Sequence, residues 1–518
     1  MPFLLCLDLG TSAAKAALLD LDGTVHRRAD AAYPTRHAAD GSAEQDPRDW
    51  ERAARTVITE LLTGMPAGEV SALALTGQMQ DLVPVPQVGA ASAAILYSDT
   101  RAGPEVDELR RTLAAEGVAW DELTGNLQDA TSCAAMHLRL RRAASERLEG
   151  LQGIAFGPAG YLVARMGLGL WCDPTTAATT GLLEARTREW SSAVAGAAGI
   201  DTALLPALTR AADQVVGRVG ADGTALLGLP EGLPVVLAPG DAGATTCGIV
   251  GLAPGDAYAY LGTSGWLAAV LLGGGALSSG GAPPGGGASA EAAVGTSHHL
   301  ALGTSAGAEA PVLRISALLA AGAAADWARR AFLDGASTAR ADALLTARAQ
   351  ERGRGPSGLL ALPSILGERF PVRDASLRGA VLGMDAATRG IDLYTAMLEG
   401  VAHGLAHGLD DELAGDGDGA LRPLPVTGGG AASAPWRRIL ADVTGRPVRT
   451  VDDADAALLG CALVAAEALG LDHSLTPLGD RQDAGTTLPD PSAAAAHAAL
   501  RPAHRALYDA AAQVQRIR

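Results

Sequence analysis

Apolar runs separated by short polar turns mark out a β-hairpin at the start of the chain. Residues 3–9 form one apolar run, residues 10–13 form a Gly-Thr-Ser-Ala turn, and residues 14–21 form a second apolar run that closes at Asp22-Gly23. Apolar runs of this length between turn residues are typical of buried strands. The pattern predicts a strand, a tight turn and a returning strand.

The same arrangement recurs near the middle of the chain. Residues 256–261 and 266–272 are apolar runs on either side of Gly262-Thr-Ser-Gly265, and Leu-Gly-Thr-Ser occurs at both residues 9–12 and residues 261–264. A hairpin that recurs in sequence indicates two similar halves.

Helical periodicity alternates with these strands. A further strand is predicted at residues 233–238, and helices are predicted at residues 48–62, 134–148, 313–332, 391–413, 434–444 and 455–469. Strands mixed with helices in this way predict an α/β protein.

The length of the chain predicts two domains. A chain of 518 residues exceeds what one hydrophobic core usually supports. We place the boundary near residues 240–255, which gives domains of residues 1–245 and 246–518 with a cleft between them. The Gly-, Ala- and Ser-rich segment 273–290 is predicted to be a flexible surface loop.

Composition narrows the possible partners. The formal net charge is −17 and no basic cluster offsets it, which argues against nucleic acid. Five scattered cysteines without a CxxC pair predict neither a disulfide framework nor a zinc knuckle. No apolar run is long enough to cross a bilayer. We therefore expect a cytoplasmic protein that acts on small molecules without a membrane partner, and a homodimer is left open.

Lys15 is the single lysine of a chain in which lysine and arginine together number 40. It lies beside the Gly10–Ser12 turn, where exposed backbone N–H groups and a compact ammonium charge would suit a phosphate. Its placement indicates phosphate chemistry, and the alternative is chance, since one lysine must fall somewhere.

Two aspartates follow predicted strands and carry candidate chemistry. Asp8 precedes the Gly10–Ser12 turn, where its carboxylate could hold Mg²⁺ while the turn binds phosphate oxygens. Ordinary turn chemistry is the alternative for Asp8. Asp241 follows the predicted strand at residues 233–238 and could accept the proton of an attacking hydroxyl group. A helix cap is the alternative for Asp241.

A glycine-rich segment lies between a predicted strand and a predicted helix. Gly428, Gly429 and Gly430 would let the backbone approach a flat or phosphorylated ligand closely. Ser433 could cap the helix that follows, whether or not a nucleotide is bound.

Several of these motifs fall in an order that is specific for one enzyme family. They are Asp8-x-Gly-Thr-Ser12, Thr76-Gly-Gln-Met79, Gly240-Asp241, Leu261-Gly-Thr-Ser264 and Gly428-Gly-Gly-Ala-x-Ser433. Their order resembles that of the FGGY carbohydrate kinases, and within that family the chain is most similar to xylulokinases. Further similar stretches lie at residues 43–50, 95–101, 173–177, 325–327 and 398–401.

The resemblance implies an α/β fold of two ribonuclease-H-like domains, of the type shared by actin, hexokinase and the Hsp70 ATPase, flanking a cleft. It implies ATP-dependent phosphorylation of a hydroxyl group of a small ketose, with D-xylulose as the expected acceptor. By this resemblance Asp241 is the catalytic base and Asp8 orients Mg²⁺. The implied contacts with the transferred phosphate are Gly10, Thr11, Ser12 and Lys15, those with the other phosphates are Gly262, Thr263 and Ser264, and those with the adenosine are Gly428, Gly429, Gly430 and Ser433.

The sugar side departs from the family pattern. Xylulokinases usually have Gln-Met-His-Gly where this chain has Gln78, Met79, Gln80 and Asp81. An amide at position 80 donates and accepts hydrogen bonds but does not titrate near neutral pH. The acceptor therefore stays open between xylulose and another ketose or polyol such as ribulose. The candidate sugar ligands are Gln78, Met79, Gln80 and Asp241, with Tyr97 and Asp99 as loop residues that have a turn-forming alternative.

Two histidine pairs are attributed to ordinary structure. His403 and His407 are spaced i, i+4 in a predicted helix, but the glutamate of HExxH is missing and no third ligand is evident. We expect both to be ordinary helix residues. His298 and His299 are expected to form a surface pair next to the low-complexity segment.

A non-catalytic switch of the same fold, binding ATP and a sugar, is the remaining alternative. Asp241 argues against it, because a sensor needs no base beside the transferred phosphate. No DNA-binding or peptide-binding module is evident in the sequence.

Overall fold

The structure is a computed structural model that describes residues 3–66, 68–89, 91–210, 214–273, 295–303, 307, 310–410, 422–481 and 485–517. Most of the predicted low-complexity loop, residues 274–290, lies outside the described residues. Among the helices described, none is long and apolar enough to cross a membrane.

The strands of the described chain run in sequence order as follows. They are β1 Phe3–Leu9, β2 Ala13–Leu19, β3 Val25–Ala32, β4 Arg36–His37, β5 Ala43–Gln45, β6 Val70–Gly77, β7 Val83–Pro86, β8 Ala94–Ile95, β9 Leu151–Ala155, β10 Trp171–Cys172, β11 Ala207–Leu208, β12 Val215–Arg218, β13 Pro234–Leu237, β14 Ala257–Leu261, β15 Gly265–Leu272, β16 His298–Ala301, β17 Pro311–Leu318, β18 Leu360–Leu362, β19 Ala380–Leu382, β20 Leu424–Thr427, β21 Val448–Thr450 and β22 Thr486–Thr487.

The α-helices of the described chain follow the same order. They are α1 Pro47–Leu62, α2 Gly103–Ala115, α3 Trp120–Thr124, α4 Cys133–Ala143, α5 Pro158–Arg165, α6 Pro174–Ala177, α7 Ser192–Ala198, α8 Ala221–Leu227, α9 Asp241–Val250, α10 Gly322–Phe332, α11 Thr338–Arg352, α12 Gly390–Asp410, α13 Ala434–Thr444, α14 Ala456–Leu469 and α15 Pro491–Ile517.

Two large mixed sheets repeat one topology. The first has the strand order β12-β13-β6-β1-β2-β3, and the second has the order β16-β17-β15-β14-β20-β21-β22. In the first sheet β1 pairs antiparallel with β2 and parallel with β6, which pairs parallel with β13. In the second, β14 pairs antiparallel with β15 and parallel with β20, which pairs parallel with β21. The α/β class and the similarity of the two halves are confirmed.

Local sequence signals explain where the predicted elements begin and end. The Gly10 N–H donates to the Ala13 carbonyl at 3.1 Å and closes the first hairpin. Helix α1 begins after Asp46, whose carboxylate accepts the Arg48 N–H at 3.0 Å, with Pro47 in the first turn. Helix α13 begins after Ser433 in the same way and ends at Gly445, which has a φ of 69°.

Each large sheet has an apolar core, and one pair of helices lies between the two sheets. Helix α1 packs on one face of the first sheet, whereas α9 and α14 pack on its other face. Ile249 of α9 also joins a cluster with the second sheet. The two helices touch through Gly248 and Gly460, where an added Cβ would overlap the Ala456 and Ala244 carbonyls. Helix α9, which begins with Asp241, is therefore held from both sides.

The domain boundary near residues 240–255 stays a prediction. Residues 3–237 contain the strands of the first sheet, and residues 257–487 contain those of the second. However, α14 comes from the second half of the chain and packs against β1 and β6 of the first sheet. The chain thus returns to the first lobe between β21 and β22, two strands of the second sheet.

One predicted helix was wrong in its N-terminal part, and another is shorter than predicted. Residues 313–332 were expected to be helical, but β17 occupies Pro311–Leu318 and only Gly322–Phe332 is a helix. Strand β17 pairs with β15 along its full length, and this non-local pairing outweighs the local helical pattern. The helix predicted at residues 134–148 ends at Ala143, and a 3₁₀ turn follows at Ser145–Leu148.

The prediction of a surface pair at His298 and His299 was wrong. Both residues belong to strand β16, which pairs with β17. The His299 N–H donates to Asn126 Oδ1 at 2.8 Å, and Asn126 Nδ2 donates to the His299 carbonyl at 2.8 Å. Burial lowers the pKa of each imidazole to about 4. His299 therefore helps to join the two lobes.

Candidate active site

The carboxyl ends of three parallel strands bring the first group of candidate residues together. Strands β1, β6 and β13 are neighbours and run parallel. Asp8 lies at the end of β1, residues 78–81 follow β6, and Asp241 follows β13. In open α/β sheets such an edge is the usual position of a ligand site.

The first hairpin turn is fixed by hydrogen bonds to its carbonyl groups. Tyr33 donates its hydroxyl hydrogen to the Gly10 carbonyl, and Gln45 Nε2 donates to the Thr11 carbonyl at 2.7 Å. Ser12 is exposed. Lys15 is also exposed and lies opposite Asp8 in the register of β1 and β2. The single lysine and the predicted metal ligand therefore share one end of the hairpin.

Asp8 has the properties expected of a cation ligand. Its Oδ1 atom is buried and has no hydrogen-bond partner among the described residues. Burial raises the pKa of Asp8 to about 6, and the charge of Lys15 opposes that shift. A buried carboxylate oxygen without a donor is costly in isolation and suits a hard cation such as Mg²⁺.

Asp241 is held at the first position of helix α9. Asp173 Oδ1 accepts the N–H of Gly240 at 2.9 Å, and Thr76 Oγ1 donates to the Pro239 carbonyl at 2.6 Å. Burial raises the pKa of Asp241 to about 7, and the nearby carboxylates of Asp8 and Asp173 add to the rise. A carboxylate with a pKa near neutrality is suited to general-base work.

The structure agrees only in part with a helix-capping role for Asp241. Asp241 Oδ1 accepts the N–H of Ala242, the next residue, at 2.7 Å. The residue at the N-cap position is Gly240, which has no side chain to cap the helix. Asp241 is therefore the first residue inside the helix rather than its cap.

Gln78 and Met79 are fixed beside these carboxylates. Gln78 Nε2 donates to Gln45 Oε1 at 2.9 Å, and the Trp50 indole N–H donates to the same oxygen at 2.8 Å. Met79 packs so closely on Gly240 that a Cβ at Gly240 would overlap the Met79 sulfur. Gln45 therefore links Gln78, the residue after β6, to the first hairpin turn.

The other predicted sugar ligands are already engaged with the protein. Gln80 has a φ of 66°, and its Nε2 donates to both the carbonyl and the hydroxyl of Thr131 at 2.8 Å. The Asp99 carboxylate accepts hydrogen bonds from the Arg101 side chain and from the Ala43 N–H. Asp99 organises its own loop in this structure, and direct contact with a sugar stays a prediction for both residues.

Tyr97 is more open to a ligand. Its side chain is 40% exposed, and its hydroxyl lies 3.3 Å from Thr11 Oγ1 of the first turn. The loop that carries Tyr97 therefore reaches over the proposed phosphate-binding turn.

The second hairpin turn meets the glycine-rich segment in the other lobe. The carbonyl of Gly262 accepts the Gly322 N–H at 2.8 Å, and Thr263 is exposed. Gly428 has a φ of 86°, and a Cβ there would lie 2.7 Å from the Leu261 carbonyl oxygen. A Cβ at Gly430 would lie 2.9 Å from the Leu261 Cβ and 3.1 Å from its carbonyl oxygen. Glycine is required at positions 428 and 430 because the backbone itself packs on the hairpin.

The remaining members of the predicted nucleotide site lie near these glycines. Ser264 is partly buried at the end of the second turn, and an added Cβ at Gly429 would meet nothing within 4 Å. Ser433 caps α13 by accepting the Trp436 N–H at 3.3 Å, and its hydroxyl donates to Asp342 at 2.7 Å. The capping alternative for Ser433 is confirmed, and contact with adenosine stays a prediction.

Two residues that position the site were not among those predicted from the sequence. Gln45 and Asp173 both lie in stretches noted for their similarity to the sugar kinases, at residues 43–50 and 173–177. That similarity was the available signal. Their role depends on partners far along the chain, such as Gln78 and Gly240, and so required a structure.

Comparison with known proteins agrees with the geometry. The N-terminal domain model of the FGGY family of carbohydrate kinases matches residues 3–248, and the C-terminal domain model matches residues 289–469. The xylulose kinase of Escherichia coli (strain K12) is 30% identical over 97% of this chain and 98% of its own length. The xylulose kinase of Bacillus subtilis (strain 168) is 27% identical over 92% of this chain and 90% of its own.

A solved structure extends the similarity to the fold. The crystal structure of xylulose kinase from Rhodospirillum rubrum superposes with a TM-score of 0.81 at 25% identity, covering 99% of this chain and 100% of that one. Two repeated α/β lobes and this set of matches define a carbohydrate kinase. The chain belongs to the FGGY family of carbohydrate kinases.

Proposed function

We propose that this kinase transfers the γ-phosphoryl group of ATP to a hydroxyl group of a small ketose, and that D-xylulose is the first acceptor to test. The relatives described above are xylulose kinases over nearly the full length of this chain. The observation that carries the proposal is the convergence of Asp8, Asp241 and residues 78–81 at one edge of the first sheet.

In the proposed reaction Asp241 accepts the proton of the acceptor hydroxyl group. The oxygen of that hydroxyl then bonds to the γ-phosphorus, and the bond between the γ-phosphorus and its bridging oxygen breaks to release ADP. With a pKa of about 7, the Asp241 carboxylate can be ionised before the reaction and can accept the proton of the acceptor hydroxyl group during it. Asp173 keeps the base in position through the Gly240 N–H.

The charge on the phosphates would be met from both lobes. The Gly10–Ser12 turn and Lys15 would contact the transferred group, and the Gly262–Ser264 turn would contact the other phosphates. Gly428–Gly430 and Ser433 would border the adenosine. Asp8 would hold Mg²⁺, which neutralises phosphate charge when bound, because its buried Oδ1 has no donor among the described residues.

The decisive experiment is a panel of ketoses and polyols assayed for ATP-dependent phosphorylation with the wild-type chain and Asp241→Asn. We expect the variant to bind ATP normally and to lose at least about 100-fold in kcat, within the range of general-base catalysis. An unimpaired variant would refute the role of Asp241. ATP hydrolysis that is equal with and without every sugar would instead favour the non-catalytic switch.

A further inference from the structure

Asp81 is a buried carboxylate beside the proposed reaction centre to which the mechanism above gives no role. It follows β6 by four residues, between the strand ends that carry Asp8 and Asp241. Its side chain is 0% exposed. Burial raises the pKa of Asp81 well above its usual range, and the charge of Asp241 adds to the rise.

The two oxygens of Asp81 differ in their surroundings. Oδ1 accepts the Tyr97 N–H at 3.1 Å, which ties Asp81 to the loop whose Tyr97 hydroxyl lies against Thr11. Oδ2 is buried and has no hydrogen-bond partner anywhere in the described chain. Burying a carboxyl oxygen without a hydrogen-bond partner is destabilising. We therefore expect a ligand to supply the missing hydrogen bond.

Asp81 is not alone in this condition. Asp8 Oδ1 and Gln78 Oε1 are also buried without a partner among the described residues. These oxygens lie at the ends of the adjacent parallel strands β1 and β6. By contrast, the donor of Gln80 and the carboxylate of Asp99 are satisfied within the protein. Three buried oxygens without a partner among the described residues therefore lie at neighbouring strand ends beside Asp241. A molecule with several hydroxyl groups could supply their missing partners.

We propose that Asp81 is a specificity-determining residue whose Oδ2 atom forms a hydrogen bond with one hydroxyl group of the acceptor sugar. This inference rests on the proposed function in taking a sugar as the ligand. Under this proposal Asp81 and Gln78, rather than Gln80, determine which sugar is accepted. A site that hydrogen-bonds a hydroxyl group discriminates strongly against analogues that lack it.

The test measures sugar binding by titration calorimetry without ATP, so it does not depend on phosphoryl transfer. The ligands are the best-binding ketose and its monodeoxy analogues, each lacking one hydroxyl group. We expect Asp81→Ala to weaken binding of the parent ketose roughly 10- to 100-fold. For the one analogue that lacks the partner hydroxyl, wild type and Asp81→Ala should bind equally. A loss that is the same for every analogue, or no loss, would overturn the proposal.

A second variant covers the case in which Asp81→Ala fails to fold. Asp81→Asn keeps an oxygen for the Tyr97 N–H and replaces only the atom at Oδ2 by an amide nitrogen. We expect it to change the ranking of the analogues, and an unchanged ranking would overturn the proposal. Asp392→Asn is the matched control, because Asp392 is an equally buried carboxylate paired with Arg348 in the other lobe. It should leave the ranking unchanged.

The two hypotheses fail separately. Sugar binding that depends on Asp81, without ATP-dependent phosphorylation, would refute the proposed function and keep the role of Asp81. If sugar is phosphorylated but both Asp81 variants rank the sugar analogues as the wild type does, the proposed function stands and the role of Asp81 is refuted.

Discussion

The protonation state of Asp241 sets the pH dependence expected of the reaction. Burial and the carboxylates of Asp8 and Asp173 raise its pKa to about 7, so the base is ionised above that pH and protonated below it. We expect kcat/KM to rise about tenfold per pH unit on the acid side and to level off above about pH 7. The measurement is kcat/KM from pH 5.5 to 8.5, with circular dichroism at each pH to exclude unfolding. A profile that is flat below pH 7 would contradict the assignment.

Lys15 provides a second prediction at the scale of one residue. It is exposed beside the first turn and its charge acts on Asp8, which it faces across the hairpin. We expect Lys15→Met to lower kcat/KM for ATP roughly 10- to 100-fold, because a charge-assisted contact with phosphate is lost.

The control for that prediction is Lys15→Arg. Arginine keeps the charge but spreads it over a planar group, so a partial recovery is expected. Steady-state kinetics with ATP as the varied substrate is the measurement. Unchanged constants in Lys15→Met would show that the position of the single lysine has no bearing on phosphate binding.

The residue scale also shows how far sequence reasoning reaches. Asp8, Lys15 and Asp241 could be selected from the sequence because strand ends and turn motifs are local signals, and the structure places them near one edge of the first sheet. Their roles stay predictions. The hydrogen bonds of Gln45 and the unpartnered oxygen of Asp81 were beyond such reasoning. They depend on which side chains already satisfy one another, as Thr131 does for Gln80, and that is a property of the folded chain.

At the scale of elements, helices α12 and α15 meet through a cluster of buried histidines. Its members are His403 and His407 of α12 and His497 and His504 of α15. The His407 and His504 rings share a hydrogen bond of 3.0 Å, and the His403 and His504 rings stack at 4.9 Å. No group of metal-ligating side chains that could hold an ion was found among the described residues.

This cluster predicts a loss of stability in acid. Burial, the neighbouring imidazoles and Arg501 lower the pKa of His403 to about 2, and the same causes together with Arg505 lower the pKa of His407 to about 2. Burial with a nearby arginine lowers the pKa of His497 and of His504 to about 4. The unfolded chain binds protons near pH 6.5 whereas the folded chain does not, so stability is lost as the pH falls below about 6.5. One such histidine contributes a loss of about 2 kcal/mol at pH 5.

Urea unfolding between pH 7.5 and pH 5 tests the cluster. We expect His403→Leu to reduce the dependence of the unfolding free energy on pH by about one proton. The control is His37→Leu, since His37 is exposed, and it should leave the slope unchanged. Equal slopes in the wild type and His403→Leu would contradict the prediction.

Elements differ in how well the sequence predicts them. The strand Phe3–Leu9 and the helix Ala434–Thr444 were predicted with the bounds observed, because each is bracketed by turn or capping residues. Residues 311–318 had no such signal. Their apolar positions fit a helix as well as a strand, and only pairing with β15 and β16 decides between them.

At the scale of the whole molecule, Arg188 joins the two lobes. It has a φ of 56° and is buried, and its guanidinium donates to the Leu302 carbonyl at 2.7 Å and to the Pro311 carbonyl at 2.6 Å. Burial lowers the pKa of Arg188 to about 10, so it stays charged at neutral pH. Among the described residues, this buried charge is held only by carbonyl groups of the other lobe. We therefore expect the contact between the lobes to depend on Arg188.

We expect Arg188→Met to separate the unfolding of the two lobes. The methionine fills part of the space but removes the Arg188 donor from the Leu302 carbonyl, which costs roughly 1–3 kcal/mol for a buried group left unpaired. The Pro311 carbonyl loses one donor and keeps the Leu302 N–H at 3.0 Å. Differential scanning calorimetry should show the transition move to lower temperature and broaden or split, since the lobes have separate apolar cores. Arg186→Met is the matched control, because Arg186 is exposed two residues away. A single sharp transition at the wild-type temperature would show that the lobes are coupled elsewhere, with α9 and α14 as the contact to test next.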